Sequence, residues 1–139
     1  MQRASQNITI AQSDRPFTIA FGSCYGLYEF KSSVFKTIAD TSDLFVWLGD
    51  VAYLDTHTWY FKFSTTSEEY IRGRFQLTRQ AEGYSDIRHV IGVWDDHDFG
   101  IENAGDELVE KKRNRDLFLD FLDEPMDTDR RLQKDTPIY

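Results

Sequence analysis

The chain has 139 residues, the length of one domain or of a part of one. Its hydrophobic fraction of 40% and aromatic fraction of 15% argue against a disordered chain, which requires low hydrophobicity. The net charge of −8, without any basic run, argues against nucleic-acid binding through a basic patch, because contacts to phosphates supply most of that affinity.

A polar segment, residues 1–14, precedes a domain that we place at residues 15–139. This segment lacks the apolar core of a signal peptide, and no stretch of the sequence approaches the roughly 20 apolar residues of a membrane span. An apolar run at residues 17–22 predicts the first strand. The next apolar residues recur with helical spacing, so they would share one face of a helix: Phe30, Val34, Phe35 and Ile38. This helix is predicted to end near residues 40–43.

The second predicted strand is the uninterrupted apolar run at residues 44–48, which is typical of a strand buried on both faces. It is followed by Gly49 and Asp50. Thr66 and Glu69 then fit a capping box, with Thr66 as the cap, and predict a helix that extends to about residue 80.

The third predicted strand is at residues 90–94, after a segment at residues 84–89 that is compatible with one helical turn. This strand leads directly into three carboxylates and an imidazole: Asp95, Asp96, His97 and Asp98. Such a cluster needs partners, because buried unpaired charge is costly.

The last predicted helix is capped by Asp106 and ends before Pro125. Its inward face consists of Leu117, Phe118, Phe121 and Leu122. The charged residues 126–134 are loosely patterned, and residues 136–139 look like the beginning of another element. The alternation of strands and helices predicts an α/β fold with a largely parallel sheet flanked by helices.

The carboxyl ends of the three predicted strands all carry metal-ligand side chains. They deliver Cys24, Asp50 and the 95–97 cluster to one sheet edge, where functional crevices of parallel sheets lie. Taken singly, Cys24 is best explained as a small buried hydrophobic residue and Tyr53 as core or surface packing, and Asp50 could equally be a helix cap or turn former. Together they predict a metal site, and a mixture of thiolate, phenolate and carboxylate ligands favours two different cations.

Other titratable residues are weaker candidates. His57 has an Asp-x-His spacing but lies in a predicted loop, and His89 precedes the third strand at its amino end, which favours a structural role. Arg72 and Arg74 could approach an anionic substrate, although surface positions on a helix are the simpler expectation.

Three motifs in this order resemble the PhoD-like alkaline phosphatases, a branch of the metallophosphoesterases. They are FGSC at 21–24, LGDVAY at 48–53 and VWDDHDFG at 93–100, and NAG at 103–105 and FLDFLDEP at 118–125 agree. The resemblance implies a metallophosphoesterase-like fold and metal-dependent hydrolysis of phosphate mono- or diesters. The implied substrate is a small-molecule phosphate ester, and the implied cofactors are Fe³⁺ and Ca²⁺.

Carried over by position, the resemblance implies that Cys24, Asp50 and Tyr53 ligate iron and that Asp50 also bridges to calcium. Asp96 would be a further metal ligand, and His97 would contact the phosphoryl group or protonate the leaving oxygen. Asn103 would ligate calcium, with Glu102 as the alternative, because relatives often have Asn one position earlier.

The family completes its site with an Asp and a His from a downstream strand, which this sequence does not contain. We therefore expect an amino-terminal portion of the phosphatase domain, with a missing carboxyl-terminal segment as a possible partner. Two alternatives stay open: a non-catalytic truncated module that acts only by binding, and an unrelated α/β binding domain with structural acids. Relatives are often exported, but the sequence does not indicate a compartment.

Overall fold

The computed structural model of the chain describes residues 14–26, 34–55, 66–103 and 108–133. These ranges contain three strands: β1 Ile19–Gly22, β2 Leu44–Leu48 and β3 Val90–Val93. They contain five α-helices: α1 Val34–Thr41, α2 Glu68–Arg79, α3 Asp96–Phe99, α4 Lys111–Phe121 and α5 Asp129–Leu132. A 3-10 turn, Tyr84–Asp86, precedes β3. The predicted α/β class is confirmed.

The described strands form one parallel sheet in the order β1-β2-β3. Phe21 pairs with Val46, and Val46 pairs with Ile91, so the three strands end at nearly the same level. Because all three run in the same direction, the residues that follow them meet at one edge. The predicted convergence of the strand ends is therefore a property of the fold.

The two faces of the sheet differ in what covers them. On one face Phe45 and Trp47 are each 2% exposed and pack with Phe35 of α1, whose ring centroid is 5.8 Å from that of Trp47. On the other face Phe21 is 70% exposed and Leu48 is 47% exposed. The expectation that β2 is buried on both faces is therefore wrong at Leu48, at the carboxyl end of the strand.

Helices α2 and α4 pack against each other through aromatic rings. Phe75 of α2 stacks on Phe121 of α4 with ring centroids 4.9 Å apart. The predicted inward face of α4 is confirmed, since all four residues are buried: Leu117, Phe118, Phe121 and Leu122. Among the described residues, no helix combines the length and the apolar character that a membrane span requires.

Several predicted boundaries are corrected by the structure. The cap of α2 is Ser67, one residue after the predicted Thr66, and its side chain accepts a hydrogen bond from the Tyr70 N–H. Helix α4 begins after Glu110, so Asp106 is not its cap. Helix α5 lies in the charged, loosely patterned segment for which we predicted no element. Phe30, Asp106 and residues 136–139 lie outside the described residues.

Candidate metal centre

Carboxylate and imidazole groups converge at the carboxyl edge of the sheet. Ligand atoms of Asp50, Asp96 and His97 all lie within 4.8 Å of one another. Asp50 follows β2, whereas Asp96 and His97 form the first turn of α3 directly after β3. The parallel sheet thus brings together residues that are more than 40 positions apart in the sequence.

Asp50 lies at the centre of this cluster. Its Oδ2 accepts hydrogen bonds from the Tyr53 hydroxyl, at 3.2 Å, and from the Cys24 thiol, at 3.4 Å. Its Oδ1 is buried and has no hydrogen-bond partner in the described part of the chain. A buried carboxylate oxygen without a partner is costly, and a cation is one group that would satisfy it.

The three residues that the resemblance implies as iron ligands share an uncommon backbone conformation. Cys24, Asp50 and Tyr53 have φ angles of 57°, 55° and 46°, in the left-handed region that disfavours side chains other than glycine. Non-glycine residues in this region are enriched at functional sites, where the surrounding structure holds the strain. Cys24 is also exposed, so the expectation of a small buried hydrophobic residue is wrong.

The pKa of the Tyr53 hydroxyl is affected by its burial beside Cys24 and Asp50. Burial, followed by contacts with the Cys24 sulfur and with Asp50, raises the pKa of the Tyr53 hydroxyl above its ordinary value. The raised pKa means that the Tyr53 hydroxyl holds its proton more tightly. Tyr53 would therefore act as a phenolate ligand only for a cation that is Lewis-acidic enough to displace that proton.

Asp95 caps α3 and is not directed at the cluster. Its side chain accepts a hydrogen bond from the Asp96 N–H at 2.9 Å and forms a capping box with Asp98. Asp96 accepts from the His97 N–H at 3.0 Å and from the Asn103 N–H at 2.7 Å. The structure thus brings Asn103 to the cluster through its backbone, while Asn103 and Glu102 are both exposed.

Asp98 has a role that the sequence did not reveal. It is 0% exposed, and its carboxylate accepts hydrogen bonds from the backbone N–H groups of Val51 and Ala52. Burial raises the pKa of Asp98 to about 7, although these hydrogen bonds favour the ionised form. Asp98 therefore organises the loop after Asp50 from inside the protein.

Asp55 is a second residue that sequence analysis missed. Both of its carboxylate oxygens lie 2.8 Å from Nδ1 of His97. Burial lowers the pKa of His97, but the hydrogen bond and charge of Asp55, together with Asp50 and Asp96, raise it above its ordinary value. The Asp-x-His spacing drew attention to His57, which lies outside the described residues, and the same spacing could have singled out Asp55.

None of the remaining described candidates belongs to the group of converging ligand atoms. His89 precedes β3 at the amino edge, as predicted. Arg74 is 6% exposed and donates from Nε and Nη2 to the Ala52 carbonyl at 2.9 and 2.7 Å, so the expected surface position is wrong. Arg72 is on the surface and pairs with Glu68 and Asp120.

Comparisons of the chain with protein-family models, with curated proteins and with solved structures gave no match. The chemistry of the site therefore has to be argued from its own residues. They offer a thiol, a phenol, an imidazole and two carboxylates, and one oxygen of these carboxylates, Asp50 Oδ1, is buried without a partner among the described residues. Such a set can hold cations and bind an anionic ligand through them.

Proposed function

We propose that the chain carries the metal centre of a metal-dependent phosphate ester hydrolase, of the kind that its motifs resemble. The observation that carries this proposal is the environment of Asp50. Its Oδ2 contacts both Cys24 and Tyr53, and its buried Oδ1 lacks a partner among the described residues. The same carboxylate lies within 4.8 Å of ligand atoms of Asp96 and His97.

The donor chemistry supports two different cations. Cys24, Asp50 and Tyr53 would hold Fe³⁺, because thiolate and phenolate ligands must lose protons and therefore favour a strongly Lewis-acidic ion. Asp50, Asp96 and Asn103 would hold Ca²⁺, which prefers oxygen ligands. When bound, the ions supply the Lewis acidity and the charge neutralisation that phosphoryl displacement requires.

Side chains of the protein would position the ions and supply a proton. Asp50 joins the ligands from β1 and β2 to those that follow β3, so it sets the spacing of the centre. His97 lies beside Asp50 and Asp96 and would carry the proton that the leaving ester oxygen needs. Asp95 and Asp98 hold α3 and the loop after Asp50 in place. The proposed substrate class is a small-molecule phosphate mono- or diester.

The proposal is tested on the purified chain after chelation and reloading with Fe³⁺ and Ca²⁺. Elemental analysis should find bound iron and calcium, and iron should be absent from Cys24→Ala. Once a complementary carboxyl-terminal segment is supplied, the loaded chain should hydrolyse p-nitrophenyl phosphate or bis-p-nitrophenyl phosphate, and Asp50→Asn should abolish this activity. Asp86→Asn, a change at an exposed residue of the 3-10 turn, is the matched control and should leave both properties unchanged.

Two outcomes would overturn the proposal. If the reloaded chain retains no metal, the acids at the sheet edge are structural, as expected for an unrelated α/β binding domain. If it binds metal but hydrolyses neither ester when the complementary segment is present, the non-catalytic binding module is favoured instead.

A further inference from the structure

We infer that Asp55 is the positioning residue of His97 and fixes the imidazole as the tautomer that is protonated at Nδ1. The catalytic consequence of this assignment rests on the proposed function, whereas the tautomer itself does not. The inference is carried by contacts between the loop after Tyr53 and helix α3.

The loop is attached to His97 through its backbone as well as through a side chain. The Leu54 N–H donates to the His97 carbonyl at 3.0 Å, and the Leu54 side chain is fully buried. Asp55 is therefore held next to His97 by its immediate neighbour. Its carboxylate does not have to be recruited from a mobile surface position.

Both carboxylate oxygens of Asp55 are within hydrogen-bond distance of Nδ1 of His97. Both oxygens lie 2.8 Å from this nitrogen, and Oδ2 also accepts the Glu102 N–H at 2.9 Å. An ionised carboxylate can only accept hydrogen bonds, so a lone pair on Nδ1 would be repelled and a proton there is favoured. The side chains of His97 and Asp55 are only 22% and 12% exposed, which limits competition from water.

The plane of the imidazole is restrained by Tyr53. The two ring centroids are 4.5 Å apart with an interplanar angle of 35°, and the Tyr53 hydroxyl is itself tied to Asp50. Tyr53 thus connects the imidazole to the centre of the cluster. The ring can neither flip nor rotate without breaking the contact with Asp55 or with Tyr53.

Together these contacts leave Nε2 as the nitrogen available for chemistry. In the neutral ring Nε2 offers a lone pair, and in the charged ring it offers a proton. Asp55 would therefore present one defined nitrogen to a phosphate ester, in the way that an orienting carboxylate supports a catalytic histidine. Asp55 itself touches no reacting atom.

The test is a measurement of the histidine tautomer by ¹⁵N NMR on the metal-free full chain, at a pH where the rings are neutral. His97 is assigned by its loss in His97→Gln, and His89, at the opposite edge of the sheet, is the internal reference. We expect the Nδ1–H tautomer for His97 in the wild type and in Asp55→Asn, whose amide oxygen can still accept. Asp55→Leu should shift His97 toward the Nε2–H tautomer and leave His89 unchanged.

Asp40→Asn is the control for the loss of one negative charge, since Asp40 is exposed on α1 and pairs with Lys36. It should leave the His97 tautomer as in the wild type. A wild-type His97 that is mainly Nε2–H would overturn the inference without any variant, so the test does not depend on the folding of Asp55→Leu. An unchanged tautomer in a folded Asp55→Leu would overturn it equally.

Hydrolysis of bis-p-nitrophenyl phosphate separates this inference from the proposed function. In an active chain, Asp55→Leu should lower kcat by about 10²-fold with KM near the wild-type value, and Asp55→Asn should restore part of kcat. A chain that shows the Asp55-dependent tautomer but no hydrolysis, even with the complementary carboxyl-terminal segment supplied, would support the positioning role and refute the enzyme assignment. Hydrolysis that is insensitive to Asp55 would refute the positioning role alone.

Discussion

The carboxylate of Asp98 lies 2.8 Å from the backbone nitrogen of Val51, 47 positions earlier in the chain. Val51 directly follows Asp50, and Asp98 directly follows His97. One buried contact therefore fixes the distance between the two parts of the candidate metal centre. It also shows that not every acid in the sequence DDHD faces the cluster, since Asp98 is directed into the protein.

Removing the Asp98 carboxylate should destabilise the protein. Asp98→Ala leaves the buried N–H groups of Val51 and Ala52 without their acceptor, and each such group costs about 1–3 kcal/mol. We expect a loss of about 2–4 kcal/mol in the free energy of unfolding, measured by urea denaturation. Asp86→Ala, at an exposed acid, should change it by less than about 0.5 kcal/mol. Equal effects of the two changes would show that the Asp98 contacts are not stabilising.

Much of this fold could be predicted because its sequence patterns are local. The apolar runs before Cys24, Asp50 and Asp95 are strands, and their common direction brings the ends to one edge. The predicted meeting of Asp50, Asp96 and His97 follows from that rule alone. Periodicity likewise predicted the inward face of α4, because burial of one helical face leaves a 3.6-residue repeat.

The sequence could not predict contacts between residues that are far apart in the chain and belong to no recognisable motif. Asp55 is 42 positions from His97, and the two residues meet because Leu54 and Asp55 lie against α3. Arg74 has the helix position of a surface residue, yet tertiary packing buries it against the Ala52 carbonyl. The sequence did not distinguish Thr66 from Ser67 as the cap of α2, because either hydroxyl side chain can accept the capping hydrogen bond; in the structure Ser67 does so.

Calcium should stabilise the protein through Asp50. A ligand that binds only the folded state adds about 2.7 kcal/mol at 100 times its Kd. We therefore expect the melting temperature of the metal-free chain to rise with millimolar calcium, in differential scanning calorimetry. Asp50→Asn should abolish the rise while leaving the metal-free protein at least as stable, because it removes a carboxylate crowded by Asp96. A rise of equal size in Asp50→Asn would place the calcium elsewhere.

Asp43 should make the protein sensitive to acid. Hydrogen bonds from Arg15 and from the Thr18 N–H, the latter at 2.9 Å, lower the pKa of Asp43 from 3.8 to about 2. A lowered pKa stabilises the folded state above the unfolded value, so this contribution is lost as the pH falls from about 4 to about 2. Urea midpoints of the wild type and Asp43→Asn should therefore converge over this range.

The control for that titration is Asp40→Asn, which removes an exposed acid paired with Lys36. Its difference from the wild type should stay small and nearly constant with pH, because exposed pairs contribute little. A pH-independent difference between the wild type and Asp43→Asn would contradict the assigned role of Arg15 and Thr18.

A methyl group at Gly49 should disrupt the junction on which the centre depends. Gly49 has a φ of 97°, and a Cβ there would lie 2.5 Å from Cβ of Asp95 and 2.9 Å from its nitrogen. Gly49→Ala therefore adds both backbone strain and steric overlap. We expect the free energy of unfolding, measured by urea denaturation, to fall by about 2–4 kcal/mol, and metal binding to weaken. Gly73 is the matched control, because it is an exposed residue of α2, where a Cβ would meet no atom of the described chain within 4 Å. Gly73→Ala should instead stabilise the protein by about 0.5–1 kcal/mol, since alanine has the higher helix propensity, and should leave metal binding unchanged. If both alanine variants shifted stability in the same direction, the close packing of β2 against the start of α3 would not be what constrains Gly49.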